Sequence, residues 1–574
     1  MKKTEKNRGR WALGLSIVFS GVALGALAAT GWAATSSKQT TYPRAQTLLT
    51  SGTQLGPIQG FNPFQGNYAV GTVGLCNETL LRYDPLTDKY IPWLAKSAGF
   101  SGKTYNIKVR SGIKWSDGDA LTGADVAYTL NLGQYAQAFW HTLLAATGGA
   151  TASGDTVTMT FTGTPNYQQF QNAIWSIPIV QRAQWNPNVN NGAALTTYNP
   201  SNPVCTGPYA LDSAGYDPAT RVVWKKRDVW WAAKLDIAPS PKPAYIIDLV
   251  TKTGIEPTLS KVDLYNAKTA SPQSVVAGQV QTYFPKPPYH LQAGLAALVP
   301  NTTHKPLNDV AFRKALAYAI NIAAIIKTDF ANQVEKANPT GLATAWQKWI
   351  NNALVNKYGL RFKPAKAKQI LAAAGYKDGN GDGYVENKDG SKISLVLIVP
   401  TGQSDFAVAA DMIANDARHV GIKVVVATQD PVQWRLNRNM GKFDLLIDDI
   451  TLMTGSPWTY FDYLFHLPIL ALPGQTFANF ERYANTTAWS LVQKLDRTPL
   501  ANLTRRKAIT DRLEKISLQM FPVIPLWYEP LWAYYVTQYW HNWPSAASGR
   551  HYLPTMWRGY LNMTGIDMID HLQS

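Results

Sequence analysis

One stretch of this chain, Trp11 to Ala29 (WALGLSIVFSGVALGALAA), is long and apolar enough to span a bilayer, and no other is. Lys2, Lys3, Lys6, Arg8 and Arg10 precede it. Small residues follow, and Ala26-Leu27-Ala28 fits the A-x-A pattern for cleavage. Residues 1–35 therefore read as an export signal, either cut off or retained as an anchor with its N-terminus inside. No Cys stands near the end of the apolar run, which excludes a lipid-anchored form. Everything after about Ser36 is expected outside the cytoplasm, in a periplasm or on the outer face of the membrane or cell wall. The rest of the chain must then fold as a body in water.

That body is large. A single core stops growing near ~250–300 residues, so a chain of 574 is expected to form two or more lobes. Charged residues are 16% and hydrophobic residues 46%, a globular composition without a disorder signature. The formal net charge is +17, and about +13 without the five leading cations and Glu5. The remaining basic residues are dispersed, with no Lys/Arg stripe interleaved with aromatics, so nucleic acid is not an expected partner. The charge suits an anionic membrane or cell wall, a low external pH, or simply a solvated surface. Only Cys76 and Cys205 are present. Export permits a disulfide between them, but the residues alone favour two buried thiols. The His residues are scattered without a zinc-ligand spacing.

Alternation from Leu80 to Arg110 predicts short strands, with a turn at Asp84-Pro85-Leu86-Thr87-Asp88. A helix is expected from Gly123 with Thr122 as N-cap, a hairpin over 150–164, and a surface loop from Asn186 to Asn202. Further helices are expected over Asp309 to about Thr328, Ala407 to Val420 and Arg505 to Met520, with a strand over Ile422–Ala427.

Several blocks resemble the extracellular solute-binding protein family 5 of ABC importers. They are Glu78-Thr79-Leu80-Leu81-Arg82-Tyr83-Asp84 with Ile91-Pro92-Trp93-Leu94-Ala95, and Arg110-Ser111-Gly112-Ile113-Lys114-Trp115-Ser116-Asp117-Gly118-Asp119 with Leu121-Thr122-Gly123-Ala124-Asp125-Val126. Thr206-Gly207-Pro208-Tyr209, Pro306-Leu307-Asn308-Asp309 with Phe312-Arg313-Lys314-Ala315-Leu316, and Phe521-Pro522-Val523-Ile524-Pro525-Leu526-Trp527-Tyr528 follow in the family's order. The resemblance implies an α/β, two-lobed periplasmic-binding-protein-like fold of type II, with a subdomain inserted in the first lobe. On that reading lobe I takes 41–70, 200–300 and 525–574, the insert takes 71–199, and lobe II takes 301–524. The chain would cross between lobes near 300 and 520. It also implies a monomeric receptor that catalyses nothing, closes on its solute by a hinge, and hands it to membrane permease subunits. The 110–119 block has a structural reading of its own. Gly112 and Gly118 suit turns that need positive φ, so the block is not assigned to the binding site.

Two other motifs carry chemistry. Gly102-Lys103-Thr104 lacks the earlier glycine of a phosphate loop, since position 97 is Ser97. Asp378, Asn380 and Asp382 with Gly383 have the spacing of a calcium loop, and Tyr384, Glu386 and Asp389 fall at its later ligand positions. Asp378, Asn380, Asp382 and Asp389 are the expected ligands of a structural Ca2+, against a plain polar turn. No other cofactor is expected.

Twenty Trp residues exceed what a core needs and suit a cleft that stacks sugars. Peptide-binding members often carry an Asp-Tyr-x-x-Pro-like stretch whose Asp pairs with the ligand's amine. Here Asp448 and Asp449 are followed by Ser456-Pro457-Trp458-Thr459-Tyr460, so that motif is not intact. The chain in this respect resembles the cello-oligosaccharide-binding branch. Trp458 and Trp527 are expected to stack on the ligand, and Tyr460, Ser456 and Asp448 or Asp449 to supply polar contacts. An oligopeptide is the alternative solute. A cell-surface glycoside hydrolase is the alternative class, although sequence alone places no carboxylate pair.

Overall fold

The computed structural model describes residues 41–574 apart from 66–67, 85, 88, 136–145, 252–260, 268–279, 452–455, 470–478, 548–552 and 554–563. Residues 1–35, expected to be an export signal, and Pro85 and Asp88 of the expected turn lie outside the described residues. Among the described residues no helix is long and apolar enough to cross a membrane.

After β1 (Thr47–Leu55) the chain leaves to build a separate unit. This insert holds a two-stranded sheet, β2 (Leu81–Asp84) with β3 (Lys89–Pro92), and a four-stranded one. The latter comprises β4 (Ala95–Ser101), β5 (Thr104–Val109), β6 (Thr151–Ser153) and β7 (Thr156–Thr160), in the order β4-β5-β7-β6. The hairpin expected over 150–164 is β6–β7. Helices α1 (Gly123–Asn131) and α2 (Tyr167–Ile174) belong to the same unit. Thr122 caps α1 as expected: its backbone N–H and its hydroxyl both donate to Asp125 Oδ2, at 2.9 and 2.8 Å. Gly112 and Gly118 take φ of 83° and 100°, so the family signature is a turn scaffold.

The chain returns with β8 (Tyr209–Leu211), β9 (Arg221–Lys226), β10 (Tyr245–Thr251) and β11 (Leu264–Tyr265). With β1 and the late β17 (Tyr534–Tyr535) they form a six-stranded sheet in the order β17-β11-β1-β10-β9-β8. The second lobe has its own sheet, ordered β14-β13-β15-β12-β16. Its strands are β12 (Leu291–Pro300), β13 (Leu395–Pro400), β14 (Val424–Gln429), β15 (Leu445–Thr451) and β16 (Ile524–Leu531). Around it lie α3 (Val310–Ala319), α4 (Ile322–Asp329), α5 (Pro364–Ala373), α6 (Ser404–His419), α7 (Pro431–Met440), α8 (Trp458–Phe465), α9 (Thr486–Asp496) and α10 (Leu503–Met520). Alternation along β12 separates two apolar clusters: Ala296 and Leu298 point to one, Leu295, Ala297 and Val299 to the other.

Three expectations need correction. The helix expected from Asp309 to Thr328 is two helices. Asn321 interrupts it, because its side chain accepts from Ala324 N as the N-cap of α4 and its own N–H donates to Asp416 Oδ2. The crossings between lobes lie outside 300 and 520, since β12 and β16 are central and edge strands of the second sheet. The chain therefore enters lobe II before Leu291 and leaves it after Leu531. Finally, Cys76 and Cys205 are not free thiols but a disulfide, with Cα atoms 4.6 Å apart. The junction around it is held tightly. Arg227 donates to the carbonyls of Cys205, Thr206, Gly207, Lys114 and Trp115.

Candidate solute-binding cleft

β13, β14 and β15 run parallel, while β12 and β16 run antiparallel to β15 and β12 respectively. Their polarity brings the C-terminal ends of β13 and β15 to the edge where β12 begins and β16 ends. That edge is where the chain passes to and from the first lobe. Ligands of open α/β sheets bind outside such carboxyl ends, because loops and helix N-termini converge there.

Asp448 and Asp449 lie near this end of β15, and neighbouring strand residues point to opposite faces. Asp448 is buried and already neutralised. Arg438 Nη1 donates to both its oxygens at 3.0 and 3.2 Å, and the Tyr463 hydroxyl donates at 2.8 Å. The Arg438 guanidinium in turn lies 4.2 Å from the Phe480 ring centroid. Asp449 opposes Ala296 of β12 and remains accessible to solvent. Protein surrounds it nonetheless: desolvation, then Asp448, then Asp405 push its carboxyl up to about 7. A group both accessible and desolvated sits in a recess. A Cβ at Gly294 would collide with Asp449 Oδ1, so glycine there leaves the carboxyl its room. Asp405, in the first turn of α6, was missed at the sequence level. Nothing local marks it; only the strand order brings it beside Asp449.

The aromatic assignments fare differently. Trp527 is fully buried on the α-helical face of the second lobe, with its ring centroid 5.0 Å from that of Phe330 and 6.2 Å from that of Phe406. Its indole N–H donates to Glu529 Oε1 at 2.7 Å. It packs as a core residue and presents no ring face to a cleft. Tyr460 is also core, and its phenol lies against Gly341, where any Cβ would clash. Trp458 is 7% exposed and packs in the same cluster as Tyr460. Ser456 is buried, and its hydroxyl donates to Gln168 Oε1 of the insert at 2.9 Å. The structure thus brings Asp448 and Asp449 to the cleft edge but turns Trp458, Tyr460 and Trp527 inward. Trp532, just past the end of β16, is only partly buried. It stands 4.9 Å from the His290 ring and stacks over Tyr534.

The calcium-type loop forms a cluster of different membership. Ligand atoms of Asp378, Asp382 and Glu386 lie within 4.8 Å of one another. Asp378 accepts from Gly381 N and Gly383 N, and Glu386 from Gly379 N and Asn380 Nδ2. Asp389 is turned elsewhere, accepting from Ser391 N and Oγ at 3.1 and 2.6 Å and pairing with Lys305. Asp389 is not part of that cluster.

Residues 89–469 match the profile of the bacterial extracellular solute-binding proteins, family 5 Middle. The chain belongs to this family. Among solved structures, this family 5 chain is similar to a periplasmic oligopeptide-binding protein of an oligopeptide ABC transporter from Thermotoga maritima. The TM-score is 0.87 and the identity 30%, over 92% of this chain and 99% of that one. A mannohexaose-bound structure of that protein matches with a TM-score of 0.80 at 30% identity, over 93% and 99% of the two chains. A probable ABC transporter-binding protein of Deinococcus radiodurans is 24% identical, over 65% of this chain and 67% of that protein. The dipeptide-binding protein of Escherichia coli is 24% identical over 71% and 77%. The two-lobed architecture of the family 5 chain and its class, a solute-binding protein of an ABC importer, follow from these matches. Its family and neighbours are binding proteins rather than enzymes.

Proposed function

We propose that the solute is a neutral oligosaccharide, captured at the lobe II edge marked by Asp449, Asp405 and Trp532, with the lobes closing about the crossings before Leu291 and after Leu531. The similarity to a protein that holds mannohexaose carries this reading. The electrostatics support it. Arg438 and Tyr463 already engage Asp448, and Asp449 is neutral below about pH 7, so neither is a standing anion for an amine. A carboxyl that stays neutral below about pH 7 and an indole suit sugar hydroxyls and C–H groups. The permease subunits of the same importer would receive the loaded receptor.

The test is a thermal-shift comparison of mannohexaose, cellohexaose, and di- and tripeptides on the full chain. A ligand at 100 times its Kd adds about 2.7 kcal/mol, enough to move the melting temperature by a few degrees. Stabilisation by a hexasaccharide is the expected result. A response to peptides alone, strengthening as pH rises through 7 and Asp449 ionises, would establish the peptide reading instead.

A further inference from the structure

Helix α2 of the insert begins without a cap of its own: its N-cap residue, Asn166, makes no capping bond. Its first-turn amides are instead satisfied from the other lobe. Gln168 N and Gln169 N donate to Asp496 Oδ1 at 3.1 and 3.0 Å, and Asn166 Nδ2 donates to Asp496 Oδ2 at 2.7 Å. Asp496 is the last residue of α9 in lobe II and is buried. Gln168, fully buried, completes the seam. Its Oε1 accepts from Ser456 Oγ and Arg506 Nη2, both at 2.9 Å, and its Nε2 donates to Thr498 O at 3.4 Å. One helical turn further along, Asn172 Nδ2 donates to Thr459 Oγ1 at 2.6 Å.

These bonds join two units whose apolar cores remain separate: the insert's cluster and those of lobe II share no member. A seam made of polar groups parts more readily than a shared apolar core, because water re-satisfies each group on separation. It is also directional, since carboxyl oxygens that accept from a helix's first-turn amides do so in one relative placement of the lobes. We infer that the Asp496 cap on α2 is a latch that holds the two lobes closed, set by contacts between the insert and lobe II. This rests on the reading that the lobes open and close around their ligand. It also gives Ser456 its role, as a hook on Gln168.

The latch carries a pH signature. Desolvation is the largest influence on Asp496 and holds its carboxyl up to about 6, with Asp462 adding to it and the three hydrogen bonds opposing. The titratable and charged groups on the adjoining elements are Asp462 of α8 and His466 just after it, 3.1 Å apart, Arg506 of α10, Lys494 of α9 and Arg497 just after it. Helix α2 brings only the Tyr167 phenol. In the open form Asp496 would meet water and titrate near ~3.9. The closed form then binds the extra proton, so closure is favoured as pH falls from about 6 towards 4, by up to about a hundredfold.

The experiment is a spin-label distance measurement on the full chain carrying K108C and K368C, both at exposed positions, with and without mannohexaose, from pH 4 to 8. The closed fraction should rise on acidification in the parent protein. Asp496→Asn keeps a good cap, so it should stay closed and lose that pH dependence. Asp496→Ala and Asn172→Ala should shift the ligand-free distances outward, the former by tenfold or more in the open-to-closed ratio, with weaker mannohexaose binding. Asn172→Ala removes no buried charge and guards against misfolding of the first variant. If distances in Asp496→Ala match the parent's, the latch is refuted. Whether mannohexaose or a peptide moves the parent's distance is read separately, and decides the closure reading on which it rests.

Discussion

At the scale of single residues, Trp527 shows where sequence reading stops. Strand alternation would assign its face, but the pairing of β16 with β12 shifts register between Ala296 and Ala297. A bulge of this kind reverses the inside–outside phase, and nothing in Ile524-Pro525-Leu526-Trp527 announces it. Trp527→Ala should therefore cost ~3–5 kcal/mol of ligand-free stability, as for a large core aromatic. Denaturant melts measure this, and the folded fraction should still bind its solute. A normal melt with lost binding would return Trp527 to the pocket. Asp448 and Asp449 were legible as candidate polar contacts to the solute. Their different fates were not, because Arg438 and Tyr463 reach Asp448 from α7 and α8, elements whose placement only the fold determines.

At the scale of elements, local signals read well. The Thr122 cap, the positive-φ glycines 112 and 118 and the β6–β7 hairpin each depend on a few adjacent residues. The split between α3 and α4 was present in the sequence as Asn321, a cap residue inside an apolar periodicity that masked it. The crossings were misplaced because strands that pair only with distant partners carry no local mark of which sheet they join. The 378–386 loop gathers three carboxyls. Calcium is expected to raise the melting temperature through Asp378, Asp382 and Glu386, with Glu386→Ala abolishing the effect and Asp389→Ala sparing it. A melting temperature indifferent to both calcium and chelator would leave only a self-bonded polar turn.

At the scale of the whole molecule, the buried carboxyls act together. Burial pushes Glu514 up to about 8 and Asp449 up to about 7, and raises Glu481 and Asp570 well above the ordinary range. Both oxygens of Glu481 and of Asp570 are buried without a hydrogen-bond partner among the described residues, as neutral acids can be. Each such group titrates higher folded than unfolded. The folded state then binds more protons, and stability is gained as pH falls from about 8 towards 5. We expect ligand-free melts to show a gain on the order of 2–5 kcal/mol over that interval, shrinking in Glu514→Gln. Below about pH 4 the exposed carboxylates also protonate, and self-repulsion among an excess of cations reverses the trend. A stability that rises steadily from pH 5 to 8 would contradict this picture. It would also weaken the low-pH reading of the +17 charge.

The Cys76–Cys205 bond closes a ring over a sequence separation of 129 residues, and almost the whole insert lies within it. Closing so long a loop removes a large part of the unfolded chain's freedom, about 4–5 kcal/mol on the chain-entropy account. The ring also changes what a cut can do. The exposed stretch around Asn190–Gly192 is an accessible place for an extracellular protease to nick the molecule. Such a break falls inside the ring, so the two pieces remain one covalent body. They would migrate together on a non-reducing gel and separate only once a thiol is added. Between Cys76 and Cys205, backbone damage does not become loss of material.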